Sequence, residues 1–128
     1  MRDTHSVNDT VQAIVPAVKS ATAAGATIDT RGFASLLFAI ETGAIVGAGN
    51  VTAKLQESDT TTDVDFTDVA AANQIGTLPG ALAADSSYRV GYRGSKRYAR
   101  LYLTKNSGTS IAVGASAILG HPAFAPVP

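Results

Sequence analysis

Apolar and polar residues alternate from Val51 to Gln56, within the segment Val51–Ser58, and this pattern limits the fold of the chain more than any other. Val51, Ala53 and Leu55 share one side of the segment, and the polar residues between them share the other. Successive side chains of a β-strand point to opposite faces of its sheet. The segment is therefore predicted to be a strand with one face against an apolar core.

Several other short apolar segments, bounded by turn residues, are also predicted to be strands. In the first of these segments, Val11–Val18, Pro16 removes one ladder donor, which predicts an edge strand with a bend. Ser35–Glu41 is almost continuously apolar and is predicted to be a central strand buried on both faces, with a helix as the competing interpretation. Ser87–Tyr92 and Arg97–Thr104 are predicted to form a hairpin. The remaining predicted strand is Ser110–Leu119, which closes a meander.

Turn signals at intervals of about 8–12 residues, without alternating helices, indicate an all-β chain folded as a β-sandwich or barrel. The 128 residues fit one domain, which is placed at residues 11–120. Residues 1–10 are polar and are predicted to be a flexible N-terminal arm. Residues 121–128 are rich in proline and are predicted to be an extended tail. The absence of cysteine excludes disulfides and thiolate sites.

Charged residues are unevenly distributed, although the formal net charge is zero. Residues 89–105 hold six of the ten Lys and Arg residues together with three tyrosines, and residues 57–68 hold half of the ten acids. Neutrality argues against nucleic acid as the main partner, because phosphate binding requires a basic face. The segregation instead predicts contacts with other copies or another protein. The candidate interface residues are Arg93, Lys96, Arg97, Tyr98, Arg100, Tyr102, Glu57, Asp59, Asp63, Asp65 and Asp68.

Both charged segments have an alternative interpretation. The acidic residues are expected to form a solvated loop or an edge of ion pairs. Binding of a divalent cation is the less favoured alternative, because the segment lacks the glycine and the final glutamate of an EF-hand loop. The period of two places Tyr98, Arg100 and Tyr102 on one face of their strand. These three side chains either cap the edge of the core or form an interface strip, because Tyr and Arg are enriched at binding hot spots.

The sequence contains no recognisable catalytic constellation. His5 and His121 are the only histidines, and neither has a carboxylate at a recognisable spacing. Gly91–Lys96 lacks the spacing of a phosphate-binding loop. No apolar run is long enough to span a bilayer. The chain is therefore predicted not to be an enzyme, to need no cofactor or metal, and to bind neither nucleic acid nor membranes.

Five short motifs and one glycine occur in a particular order: Asp29–Ser35, Gly43, Val51–Asp59, Phe66–Val69, Tyr88–Tyr92 and Lys96–Arg100. This order resembles that in small structural proteins of tailed bacteriophages encoded beside the major capsid protein, among them head decoration, or cement, proteins. The resemblance covers about residues 11–123. It implies a β-sandwich, often of jelly-roll type, that sits on the capsid exterior as a trimer or dimer and clamps neighbouring capsomers.

The expected function is therefore capsid decoration, in a protein made in the host cytoplasm and located on the virion. The expected partners are the major capsid protein and further copies of the chain, with a trimer favoured over a dimer. One alternative is a head–tail connector or tail component. Another is a carbohydrate-binding module that stacks sugars on Tyr92, Tyr98 and Tyr102.

Overall fold

The computed structural model describes residues 3–127, which form ten β-strands, two 3₁₀ turns and no α-helix. Six of the strands have six or more residues, and the other four are two-residue pairings. The 3₁₀ turns span Asp63–Asp65 and Ala71–Asn73. The strands are β1 (Asn8–Lys19), β2 (Ala23–Ala24), β3 (Ile28–Asp29), β4 (Phe33–Val46), β5 (Asn50–Ser58), β6 (Thr67–Asp68), β7 (Gln74–Ile75), β8 (Ser87–Tyr92), β9 (Tyr98–Ser107) and β10 (Ser110–Pro122).

The strands form two antiparallel sheets that pack together as a β-sandwich, which confirms the predicted fold class. Sheet I has the order β1-β10-β4-β8-β7, so the first and last strands of the chain are neighbours. Sheet II has the order β2-β9-β5-β6, and β3 also pairs with β9. The chain passes between the sheets six times, from β1 to β2, β3 to β4, β4 to β5, β6 to β7, β8 to β9 and β9 to β10.

The core lies between the sheets and is built from every second residue of the long strands. Val51, Ala53 and Leu55 of β5 are 2–4 % exposed, as their alternation predicts. Burying one such large apolar side chain contributes about 1.5–3 kcal/mol. The largest side chains that are fully buried are Phe38, Ile28, Ile40, Leu55, Leu101, Leu103, Ile111, Val51 and Val90.

The predicted hairpin of Ser87–Tyr92 and Arg97–Thr104 is wrong. Strand β8 pairs with β4 and β7 in sheet I, whereas β9 pairs with β5, β2 and β3 in sheet II. The apolar faces of β8 and β9 face each other across the core, because the two strands lie in different sheets. In a hairpin the two strands would lie side by side in one sheet, and their apolar faces would point in the same direction. The predicted meander is wrong for the same reason, because β10 lies between β1 and β4 and not beside β9.

Strand β4 occupies the middle of sheet I, as predicted, but it is longer and less buried than the sequence suggests. It continues to Val46, past the end at Glu41 that the sequence predicts. Leu36, Phe38 and Ile40 are buried, whereas Leu37 and Ala39 between them are half-buried. Only the inner face of this strand is fully covered, so the prediction of burial on both faces is wrong.

Strand β1 forms an edge of sheet I, as Pro16 predicts. Its pairing with β10 shifts register on both sides of Ile14, and Pro16 lies within the second shift, where its missing N–H costs no ladder bond. A Cβ on Gly114 of β10 would lie 2.9 Å from Cγ of Pro16. The absence of a side chain at Gly114 therefore lets the bent edge strand pack closely against its neighbour.

The strands of sheet I extend past the predicted domain boundaries. Residues 8–10 pair with β10, and His121 and Pro122 still belong to β10. The two terminal segments lie together, because the backbone N–H of Val127 donates to the carbonyl oxygen of Ser6 at 2.8 Å. Within the described residues, the predicted arm and tail are thus reduced to residues 3–7 and 123–127. Residues 1, 2 and 128 of those predictions lie outside the described residues.

Candidate functional site: the polar face of sheet II

Seven of the eleven candidate interface residues lie on the outer face of sheet II or in the loop of residues 59–69 that packs against it. Strands β5 and β9 pair in register there, so that Gln56 lies opposite Arg100 and Lys54 opposite Tyr102. Tyr98, Arg100 and Tyr102 share this face, as their spacing predicts. We refer to it as the polar face, formed by Thr52, Lys54, Gln56, Ser58, Tyr98, Arg100, Tyr102 and Thr104.

Arg100 is the buried centre of the polar face, with only 6 % of its surface exposed. Its Nε donates to Oε1 of Gln56 at 2.9 Å, and its Nη1 donates to Oδ1 of Asp63 at 2.6 Å. The guanidinium lies 4.1 Å from the centre of the Phe66 ring, a cation–π distance. A buried cation is tolerated only when it is paired and hydrogen-bonded. These contacts therefore hold the acidic loop, residues 59–69, against the sheet.

Further bonds fix the acidic loop at both ends. Lys54 Nζ lies 3.0 Å from Oδ1 of Asp68, and Gln56 donates to the same carboxylate. These two bonds lower the pKa of Asp68. Thr60 Oγ1 donates to Oδ2 of Asp65 at 2.6 Å, which closes the loop on itself. Four of the five acids in the cluster thus accept hydrogen bonds from this chain: Asp59, Asp63, Asp65 and Asp68.

The connection between β8 and β9 forms two ion pairs of its own. Lys96 Nζ lies 2.8 Å from Oδ2 of Asp59, and this bond raises the pKa of Lys96. Arg97 donates to both oxygens of Asp29, from Nε at 2.9 Å and from Nη2 at 2.8 Å. This bidentate pair lowers the pKa of Asp29 to about 2. Asp29 is not among the interface residues predicted from the sequence.

The remaining two candidate residues, Arg93 and Glu57, belong neither to the polar face nor to these ion pairs. Arg93 donates from Nε to the carbonyl oxygen of Ala72 at 3.0 Å, which anchors the second 3₁₀ turn. Glu57 pairs with the core residue Ala99, and its Oε2 is buried without a hydrogen-bond partner in the described part of the chain. Neither side chain joins the group around Arg100.

The three tyrosines predicted to form a sugar-stacking platform do not share a surface. Tyr92 faces the core from sheet I and is 6 % exposed, and burial raises its pKa to about 12. Cations lie over the rings of the other two, with Arg97 4.9 Å from the centre of Tyr98 and Lys54 5.2 Å from that of Tyr102. The predicted platform of three tyrosines is therefore wrong, because the Tyr92 ring is buried and cations already lie over the rings of Tyr98 and Tyr102.

The basic and acidic clusters thus pair with each other inside one chain. Of the alternatives that the sequence left open, the structure supports the ion-pairing edge. It does not support two clusters of unpaired charges that are both available to a partner. Lys54, Gln56 and Phe66 complete the arrangement and were not among the predicted residues. The alternation in β5 places Lys54 and Gln56 on its polar face, but only the pairing with β9 brings them to Arg100.

The described residues offer little reactive chemistry. His121 Nδ1 lies 3.0 Å from Oγ of Ser35, on an exposed part of sheet I. Within residues 3–127, no carboxylate accepts a hydrogen bond from His121, so a catalytic triad is not formed. Over the same range, no three His, Asp or Glu side chains converge where they could hold a metal ion. No helix in that part of the chain is long and apolar enough to cross a bilayer.

Comparison with known proteins provides no family assignment. No protein-family model matches the sequence, and a search of curated proteins finds none with significant similarity. The fold and the surfaces of this molecule therefore carry the information about its function.

Proposed function

We propose that this protein is a non-enzymatic structural subunit that decorates the exterior of a tailed-phage capsid. The resemblance of its motifs to small phage head proteins motivates the proposal. The β-sandwich provides the compact core that such a protein needs. The observation that carries the proposal is an exposed aromatic residue where the two terminal segments meet.

The strand order supports a jelly-roll fold. When the short β3 and β7 are set aside, eight strands remain, in the sheets β1-β10-β4-β8 and β2-β9-β5-β6. If these eight strands are renumbered from one to eight in chain order, the two sheets read 1-8-3-6 and 2-7-4-5. This is the arrangement of a double Greek key in two four-stranded sheets, which occurs in viral capsid and lectin domains. Because one fold hosts many functions, the strand order is consistent with a virion protein without defining one.

Phe124 is the feature that points to a partner. It is 88 % exposed, the highest value among the large hydrophobic residues that the structure describes. Its segment is nevertheless held in place, since Ala123 donates to the carbonyl oxygen of Gly32 and Val127 donates to that of Ser6, both at 2.8 Å. A positioned and solvated aromatic ring suits an anchor that enters a pocket on another protein.

The polar face suits attachment less well than the sequence suggests. Its cations, Lys54 and Arg100, are already paired with acids of the same chain, so a partner would have to replace existing bonds. Exposed ion pairs also contribute little to affinity and are screened by salt. We therefore place the principal capsid contact at Phe124 and the end of the sandwich around it.

The test uses capsids assembled from the major capsid protein of the phage that the proposal makes the source of this chain. Purified protein should co-sediment with these capsids and saturate a fixed number of sites. Phe124→Ala should weaken binding at least tenfold, because burial of the ring contributes roughly 2 kcal/mol. Val64→Ala is the matched control, since Val64 is 84 % exposed and lies on the acidic loop.

Two outcomes would overturn the proposal. Wild-type protein that does not bind the capsids excludes decoration. A ring of six or twelve copies at one capsid vertex, seen by cryo-electron microscopy, assigns the chain to the head–tail connector instead. If wild-type protein and Phe124→Ala bind equally well, decoration stands and the assignment of the anchor is wrong.

A further inference from the structure

The outer face of sheet I has an unusual composition for a surface in contact with water. Its side chains come from β1, β10, β4, β8 and β7, and cross-strand pairing arranges them in rows. We refer to this surface as the open face. Its three main rows are Thr10, Ile118, Leu37, Gly91 and Ile75; then Gln12, Ser116, Ala39 and Arg89; then Gly114, Glu41 and Ser87.

Small and apolar residues dominate the open face. Ala112, Gly114 and Ser116 form a shallow floor along β10, and a groove of about 600 Å³ lies over this strand. Ile75 at the opposite edge is 54 % exposed. An antiparallel sheet with one solvated face normally carries polar side chains on that face. The composition of the open face is instead that of a surface which another layer covers.

Glu41 and Arg89 are the two charged residues in these rows. They lie on neighbouring strands, where Glu41 pairs with Ser87 and Arg89 pairs with Ala39. Both are exposed. Neither has an oppositely charged group within 4.0 Å among the described residues, in contrast to the four ion pairs that the structure forms elsewhere. The open face therefore presents one free carboxylate and one free guanidinium side by side.

We propose that the open face binds a second copy of this chain in a two-fold dimer. A two-fold axis between the sheets, midway between Glu41 and Arg89, exchanges the two positions. Glu41 of each copy then faces Arg89 of the other, and both pairs form at once. A surface with one charge of each sign is self-complementary under this symmetry, whereas an unrelated partner would need matching charges placed independently.

The size of the open face agrees with a reversible dimer. Four strands spaced about 4.8 Å apart, with about nine residues each at 3.3 Å, present roughly 600 Å² per copy. The total of roughly 1,200 Å² is at the lower limit of specific interfaces. The small side chains of the floor also permit the close face-to-face packing of sheets seen in sandwiches. We expect dissociation in the micromolar range.

Charge reversal tests this arrangement, with the oligomeric state measured by sedimentation velocity between about 1 and 200 µM. Glu41→Arg places two guanidinium groups opposite each other, and Arg89→Glu does the same with two carboxylates. Each variant alone should dissociate at least tenfold more readily than the wild type. An equimolar mixture of the two variants should form a heterodimer, because both contacts are then attractive. Lys105→Glu on sheet II is the matched control and should dimerise normally.

The proposal is overturned if the wild type remains monomeric over this range. It is also overturned if both single variants associate like the wild type, or if the mixture associates no better than either variant alone. Thermal unfolding of each variant checks the fold, which exposed positions 41 and 89 should leave unchanged. Since no capsid enters the measurement, its outcome is independent of the proposed decoration function.

Discussion

The outer faces of the two sheets differ in how they accommodate charge. The polar face of sheet II carries Lys54 and Arg100, and both are paired with acids of the same chain. The acidic loop covers this face through Phe66, which is 8 % exposed. The open face of sheet I carries only Glu41 and Arg89 in its main rows, and the described residues provide no ion partner for either.

This contrast shows that abundance of charge does not by itself mark charges that are free to contact a partner. The Tyr- and Arg-rich segment has the composition of an interface, yet its charges hold a loop onto its own sheet. The open face has the composition of a core layer, yet it lies at the surface. Charge contributes to folding on one side of the molecule, and on the other it is available for recognition.

Removing Arg100 should give the largest effect and tests whether the polar face is structural. Arg100→Ala deletes the bonds to Gln56 and Asp63 and the contact with Phe66, so we expect a loss of about 2–3 kcal/mol in unfolding free energy. Urea denaturation followed by circular dichroism measures the change. Arg89→Ala on the open face is the control and should stay within about 0.5 kcal/mol. Equal losses in the two variants would remove the distinction between the faces.

The floor of the open face should respond to a single added methyl group. Gly114→Ala brings a Cβ to 2.9 Å from Cγ of Pro16, so either β1 moves or the contact is strained. We expect destabilisation of about 1–2 kcal/mol, measured by thermal and urea unfolding. Gly80→Ala is the matched control, because nothing lies within 4 Å of its new methyl group. A neutral result for Gly114→Ala would mean that β1 is not held as closely as described.

Acid should weaken the pair of Asp29 and Arg97. The pKa of Asp29 is lowered from 3.8 to about 2, so the folded state binds this proton more weakly than the unfolded state. The stabilisation is complete above about pH 4 and is lost as the pH falls towards 2. Because the Asp29 side chain is 44 % exposed, we expect less than about 1 kcal/mol. Asp29→Asn should remove this part of the pH dependence, as measured by urea unfolding at pH 2–6; an unchanged profile would contradict the assignment.

The exposed pair of Lys54 and Asp68 should have the smallest effect. The Asp68 side chain is 62 % exposed, so solvent screens the bond. Asp68→Asn should change stability by no more than about 0.5 kcal/mol at low salt, and the difference should vanish in 1 M NaCl. Parallel urea titrations at both salt concentrations measure it. A larger, salt-insensitive loss would show that the ends of the acidic loop matter as much as its buried centre.

Local patterns predict the fold class and the faces of single strands, but not which strands pair. Alternation correctly places Tyr98, Arg100 and Tyr102 together and buries Val51, Ala53 and Leu55. It does not show that β8 and β9 belong to different sheets, because a short connection can either close a hairpin or cross between sheets.

The partners in the candidate site depend on this topology. Asp29 and Arg97 are 68 residues apart, and Asp63 and Arg100 are 37 residues apart. Only the packing of the sheets and the fold of the acidic loop bring them together. The open face was missed for a related reason, since a half-covered strand such as β4 and a fully covered one have similar apolar sequences.

The pairing of the first and last long strands determines how the molecule would respond to mechanical force. Asn8 lies opposite Gly120, and the two strands run antiparallel, so tension between the chain ends would load their ladder one rung at a time. Sequential rupture of this kind requires little force at any moment, since each bond contributes only about 1 kcal/mol. The same sandwich pulled between Lys19 and Gly120, at opposite ends of the ladder, would load all the rungs in shear and should resist a much higher force.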